Sequence, residues 1–386
     1  MTDRLYLTDS YLLDFTARVV SRRTGAVVLD RTAFYATSGG QPHDTGMLGV
    51  TRVTGVEAEG ETVVHSVEGD VPDGDVRGAV DPSRRRDHRE QHHGQHLLSR
   101  AFIETCGAET VSFHLGPERC TVDLAVRDLT EAEAARAEDL ANLVVRENRP
   151  VEVTWHTPAE AKSLGLRKLP EGLERVRVVT VRDFDRCACG GTHPSRTGDV
   201  GQIRVLGWEK SKGNVRVAFA AGGRALRDAR DRFASLASAG AALGSGALEA
   251  GAAAGRARED LRAAQRELGA LRGKMAVVEA AELLAKSARV VRASFPDRDV
   301  PALLVLTKVL GESAGAVFVL TGNGALVAGC GASVTLDLAP AFKHACAAGG
   351  VRGGGRGRLF QAAGGTDPAA LEAAADALAR RLEEGR

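Results

Sequence analysis

The chain has 386 residues, a formal charge of +1, 44% hydrophobic residues, 6 Cys and 10 His. That length accommodates two or three domains with cores of their own, and the near-zero charge excludes a global cationic field, so any nucleic-acid binding has to rest on local patches. No apolar run approaches the ~20 residues of a membrane helix and the N-terminus lacks a signal-peptide pattern, so a cytoplasmic location is expected, where scattered cysteines point to metal or packing roles rather than disulfides.

Residues 1–81 carry short alternating segments (LYLTDSYLLDFTARVVS, GAVVLDRTAF, TRVTGVEAEGETVVHSV) separated by Gly, Asp and Pro clusters. This predicts a small β-barrel or sandwich. From residue 82 the period becomes helical: SRRRDHREQHHGQHLLSRAFIETC places Leu97, Leu98, Ala101 and Phe102 on one stripe. Two strands are predicted in VSFHLGPERCTVDLAV. A helix follows, with Thr130 as N-cap, Glu133 closing a capping box and Pro150 beyond its end. VEVTWHT and RVRVVTV are read as strands flanking a basic loop, which makes 82–222 an α+β domain. Residues 223–288 are Ala-rich, charged and free of Pro. There Leu261, Ala264, Leu268, Leu271, Met275 and Val278 step by threes and fours, a coiled-coil seam. With the interruption GAALGSGALEAGAAAG this predicts two helices folded as a hairpin, the alternative being one long surface helix. Residues 289–386 alternate strand-like and helix-like segments, a C-terminal α/β globular domain that contains GGVRGGGRGRLFQAAGG. The expected fold class is therefore α+β in four parts.

Two pairs of donor residues carry chemistry. Cys189 and His193 sit four apart in CACGGTHPSRTGDVG, and His92 and His96 sit four apart on the predicted helix, facing one side. Two imidazoles from a helix plus a Cys/His turn give four N/S donors, the number and softness that Zn²⁺ prefers. Gly190 and Gly191 are expected to permit the tight path between Cys189 and His193. The alternative is surface histidines beside an arginine cluster and a buried filler cysteine. His93 and Cys187 are read as bystanders or as groups behind the donors.

Taken together, HHGQH, CGGTH followed by TGDVG, and FYATSGGQPHDTG resemble the freestanding alanyl-tRNA editing proteins, the AlaX family, which are similar to the editing domain of alanyl-tRNA synthetase. WEKSKGNVRVAFAAGGRAL resembles the end of that domain. The helical segment and GGVRGGG are similar to the synthetase's C-terminal, DHH-associated region, so the likeness is to the long form of the family. The one departure is His93, where the family more often has Thr. No segment is read as resembling an ATP-binding or aminoacylation module, and no Asp-His-His phosphoesterase motif is present.

The resemblance implies that His92, His96, Cys189 and His193 hold Zn²⁺. It implies hydrolysis of the ester joining a wrong amino acid, serine chiefly and glycine less so, to tRNA(Ala). A site sized for alanine rejects a hydroxyl-bearing isostere by only roughly 10²-fold, whereas a site that requires the hydroxyl discriminates roughly 10⁴–10⁵-fold. The expected editing pocket therefore needs a short polar side chain. Thr37 is expected to bond the seryl hydroxyl and Gln41 to orient the ester or the backbone, the alternative being that TSGGQP is simply a tight turn. Arg167, Lys168, Arg352 and Arg356 are the expected phosphate contacts, RGGGRGR being read as a flexible cationic loop, unless these patches are only solvated faces. The competing function is a zinc-stabilised tRNA-binding protein without catalysis. The apolar seam either joins two copies as a homodimer or closes on itself.

Overall fold

In Asp14–Arg23 (β1) Phe15 and Ala17 are buried while Asp14, Thr16 and Arg18 are exposed, the two-residue period of a half-buried strand. The same logic builds Ala26–Leu29 (β2), Gly46–Leu48 (β3), Thr51–Glu59 (β4), Thr62–Glu68 (β5) and Asp75–Val80 (β6). These strands pair antiparallel in the order β1-β2-β5-β4-β3-β6, and β6 returns to β1, closing a barrel. Leu29, Phe34, Leu48, Val53, Val56 and Val63 fill it with no exposed surface. These observations come from a computed structural model that describes residues 1–166, 172–287, 289–313, 315–363 and 367–384.

Asp81 caps the next helix, Pro82–Cys106 (α1), by accepting from the amides of Ser83 and Arg84, and Gly107 ends it in the left-handed conformation. Strands Thr110–Leu115 (β7) and Cys120–Leu124 (β8) follow. The expected capping box starts Glu131–Arg146 (α2). Val151–His156 (β9), the short helix Pro158–Ser163 (α3), Val176–Val181 (β10) and Asp185–Ala188 (β11) come next, then Ile203–Ser211 (β12), Asn214–Ala221 (β13) and Gly222–Ala242 (α4). One sheet runs β12-β13-β8-β7 and another β9-β10-β11. Leu97, Leu98 and Phe102 of α1 and Ala137, Ala141 and Val144 of α2 form one core with Val122, Val217 and Phe219. Each fully buried Leu or Phe contributes about 1.5–3 kcal/mol. A Cβ at Gly94 would lie 2.8 Å from the Ala221 Cβ, so the glycine of HHGQH lets α1 settle on the sheet.

The chain divides into two units, Met1–Leu236 and Ala237–Arg386. In the second, Ala250–Lys286 (α5) follows a bend in which Ser245 donates from its amide to the Gly240 carbonyl. The expected seam of α5 is not buried: Leu261 is 59% exposed and Met275 57%. The helix instead packs through Ala276 and Ala280 with Leu303 and Leu306. Val290–Phe295 (β14), Val300–Glu312 (α6), Val317–Gly322 (β15), Ala325–Cys330 (β16), Leu338–Ala348 (α7), Arg352–Arg356 (β17), Leu359–Ala363 (β18) and Pro368–Glu383 (α8) complete the unit. Its sheet is ordered β14-β15-β16-β18-β17, with β14 and β15 parallel and the other pairs antiparallel.

RGGGRGR is thus not the flexible loop expected: Arg352–Arg356 is a paired edge strand. Its glycines serve close approach, because a Cβ on Gly353 would lie 2.4 Å from the Ala362 Cβ and one on Gly355 would lie 2.2 Å from the Leu359 carbonyl oxygen. The molecule as a whole is mixed α+β, and no helix among the described residues is long and apolar enough to cross a membrane.

Candidate metal centre

His92 and His96 occupy successive turns of α1, and Cys189 and His193 bracket the turn that follows β11. The fold brings these four together, with their donor atoms all within 4.8 Å of one another. Cys189 Sγ lies 3.3 Å from His92 Nε2 and 3.2 Å from His193 Nε2. A tetrahedral zinc site with bonds of ~2.0–2.3 Å separates its donors by roughly 3.3–3.6 Å, so the two Cys189–His distances and the N/S chemistry of the four donors suit a metal ion of that kind.

The opposite ring nitrogens are engaged as well. His92 donates from Nδ1 to Gln41 Oε1 at 2.8 Å, His193 Nδ1 meets His93 Nδ1 at 3.0 Å, and His96 Nδ1 meets Cys187 Sγ at 2.9 Å with an Asp185 carboxylate oxygen at 4.0 Å. Such backing fixes the tautomer and the ring plane of a metal-binding histidine. Burial lowers His92 and His93 from 6.5 to about 3 and pushes His193 well down, which keeps the rings neutral and able to bind a cation. Burial raises the Cys189 thiol, and a cation at the centre would oppose that shift by favouring the thiolate.

Gly191 is required by close approach. A Cβ there would sit 2.2 Å from His92 Cε1 and 3.1 Å from Gln41 Oε1. This is not the backbone freedom expected of the glycine pair, since neither Gly190 nor Gly191 has a positive φ.

Gln41 enters from the barrel side. Ser38 and Gln41 pair across Gly39 (φ 52°) and Gly40 (φ 82°), the sign pattern of a type I′ turn. Gln41 is fully buried. It donates from Nε2 to Thr192 Oγ1 at 2.9 Å and accepts at Oε1 from His92 and from the Thr192 amide. Its side-chain amide thus engages His92, the Thr192 hydroxyl and the backbone amide of the Cys/His turn. Thr37, beyond the bridge, is exposed and bonded to His43. Among the expected phosphate contacts, Arg352 and Arg356 lie exposed on β17, and Arg167 and Lys168 fall outside the described residues.

Four functional groups escaped the sequence reading. Thr192 holds Gln41, and Asp185 stands behind His96. Arg177, 6% exposed, donates to the carbonyls of Leu7, Cys189 and Gly191 and clamps the Cys/His turn to the N-terminal segment. Ser10 donates to the His193 carbonyl from the same segment. Only Thr192 had a visible signal, its place inside CGGTH.

Residues 176–218 match the family model of the threonyl and alanyl tRNA synthetase second additional domain. Residues 9–83 match that of tRNA synthetases class II (A). In this chain those residues form the barrel and the start of α1. Curated relatives are alanine–tRNA ligases. That of Korarchaeum cryptofilum is 36% identical over 242 residues, 58% of this chain and 27% of the ligase. That of Thermococcus kodakarensis is 38% identical over 241 residues, 58% and 26%. That of Hyperthermus butylicus is 31% identical over 382 residues, 92% of this chain and 41% of the ligase. The chain is thus related to alanyl-tRNA synthetases and spans less than half the length of the curated relatives it matches.

Proposed function

We propose that the chain is a cytoplasmic trans-editing hydrolase that cleaves the ester joining serine, and to a lesser degree glycine, to tRNA(Ala). The observation that carries this is the convergence of His92, His96, Cys189 and His193 behind a turn, Ser38–Gln41, presented by the barrel. The similarity to alanine–tRNA ligases supports tRNA(Ala) as partner. The working division is a barrel (1–81), a metal-dependent editing domain (82–222), a helical segment (223–288) and a C-terminal domain (289–386).

In this reading His92, His96, Cys189 and His193 hold Zn²⁺. When bound, the ion supplies positive charge that polarises a nearby water or the ester carbonyl. Four protein donors fill a tetrahedron, so orientation of the substrate falls to the surrounding groups. Gln41 holds the His92 ring and its Nδ1 proton, His93 does the same for His193, and Arg177 fixes the turn that carries Cys189. Thr37 offers its hydroxyl oxygen to the serine side chain, a hydrogen bond that an alanyl ester has no group to make, which is the proposed source of discrimination.

Arg352 and Arg356 face solvent without a carboxylate partner among the described residues, which suits them to phosphate. The exposed seam of α5 suits self-association. The test is release of serine from Ser-tRNA(Ala) at substoichiometric protein. Turnover of the seryl ester, with the alanyl ester spared, is the expected result. Binding without turnover would instead support a zinc-stabilised tRNA-binding protein.

A further inference from the structure

Thr37 and His43 form a short relay, ending on the Thr54 carbonyl, that the cluster itself does not use. Thr37 Oγ1 lies 3.1 Å from His43 Nδ1, and His43 Nε2 lies 3.1 Å from the Thr54 carbonyl oxygen. That carbonyl stands where the register between β4 and β5 slips, between Val53 and Gly55. A carbonyl oxygen only accepts, so Nε2 carries the ring proton. In the neutral imidazole Nδ1 is then bare, and the Thr37 hydroxyl must donate to it. With its proton turned inward, Thr37 presents only lone pairs to solvent. The position of Thr37 is fixed separately, by its amide donating to the Val56 carbonyl at 3.1 Å.

We propose that His43 is a positioning residue that sets the hydrogen-bond polarity of Thr37, so that the site reads the substrate's side-chain hydroxyl strictly as a donor. This rests on the reading of Thr37 as the partner of a seryl hydroxyl. A serine ester supplies the donor; the methyl of alanine and the hydrogen of glycine do not. The ring also props the hydroxyl in place, so its loss frees Thr37 to rotate and to donate outward, where it competes with the substrate for the same proton direction.

The full-length, zinc-loaded chain tests this in two independent arms. In the first, long-range ¹H–¹⁵N spectra of ¹⁵N-histidine-labelled protein, with the His43 signals assigned by their loss in His43→Leu, are expected to show the Nε2-protonated tautomer. An Nδ1-protonated ring overturns the proposal. In the second, His43→Leu is expected to lower kcat/KM for Ser-tRNA(Ala) roughly tenfold, the fold-change of one neutral hydrogen bond. The Ala-tRNA(Ala) rate and zinc content are expected to stay at the parent level. His43→Asn, whose amide oxygen can accept from Thr37, is expected to restore part of the loss. Thr37→Val added to His43→Leu is expected to cost little more than either change alone. A parent-like serine-to-alanine ratio in His43→Leu, or full additivity with Thr37→Val, overturns the relay. If the parent itself releases no serine, the deacylase reading fails, while the tautomer arm still decides the hydrogen-bond polarity.

Discussion

At Gly191 the site leaves no room for a methyl group. The hypothetical Cβ falls 2.2 Å from His92 Cε1 and 3.1 Å from Gln41 Oε1, so the ring and the amide would both have to move. Gly191→Ala is therefore expected to cut the zinc content of purified protein well below stoichiometric, as read by elemental analysis, while far-UV circular dichroism stays near the parent. Gly190→Ala, where nothing lies within 4 Å, is the matched control and is expected to keep its metal. A second expectation concerns pH. Burial holds His92 and His93 near 3 and His65 and His88 near 4, below the ordinary 6.5. Between those values and 6.5 the unfolded chain binds protons that the folded chain refuses, so folding stability is intact above about 6.5 and falls as pH drops toward 4. Chelator-treated protein is expected to show that decline in Tm between pH 7 and pH 4; a flat or rising Tm would contradict it. The four donors themselves were legible from spacing alone, because a helical i, i+4 pair and a Cys/His turn each restrict geometry locally. Arg177 and Asp185 were not, because their roles depend on contacts to Leu7 and His96 that no local pattern encodes.

Among the elements, α1 couples the barrel to the donor cluster through a buried ion pair. Arg85 and Asp44 have side chains 1% and 0% exposed. Arg85 donates from Nε to Asp44 Oδ2 at 3.0 Å and from Nη1 to the Ser10 carbonyl at 2.9 Å, and the same Asp44 oxygen accepts from the Tyr35 amide at 2.8 Å. Asp44 belongs to the segment that carries Gln41, and Arg85 lies two turns before His92. Removing one partner strands a charge in a dry interior, so Arg85→Met is expected to cost about 3–5 kcal/mol in urea unfolding, with Arg85→Met/Asp44→Leu recovering part of it. A loss no larger than that of an exposed arginine would show that the pair does not tie the two elements together. Periodicity made α1 and α2 visible in the sequence, through the stripe at Leu97–Phe102 and the box at Thr130–Glu133. It misjudged RGGGRGR, because glycine carries no side-chain pattern and its pairing to Leu359–Ala363 is decided by backbone approach. It left open what the seam of α5 packs against, since heptad spacing fixes which residues share a face and says nothing about what covers that face.

On the scale of the whole chain, the chemistry and the candidate phosphate-binding arginines fall in different units: the donor cluster within Met1–Leu236, Arg352 and Arg356 within Ala237–Arg386. If the second unit supplies affinity and the first the reaction, changes in one should leave the intrinsic step in the other untouched. A cation that neutralises a phosphate releases counterions, so each such arginine removed lowers the slope of log K against log salt by about 1. Arg352→Ala/Arg356→Ala is therefore expected to flatten the salt dependence of tRNA(Ala) binding by about 2. It is expected to raise KM for the seryl ester while kcat at saturation and zinc content stay at the parent level. The near-neutral total charge gives this test its resolving power, because no long-range field stands ready to compensate for two missing arginines. An unchanged slope would assign them to a solvated face, and a fall in kcat without a change in KM would mean that the second unit acts on the reaction itself.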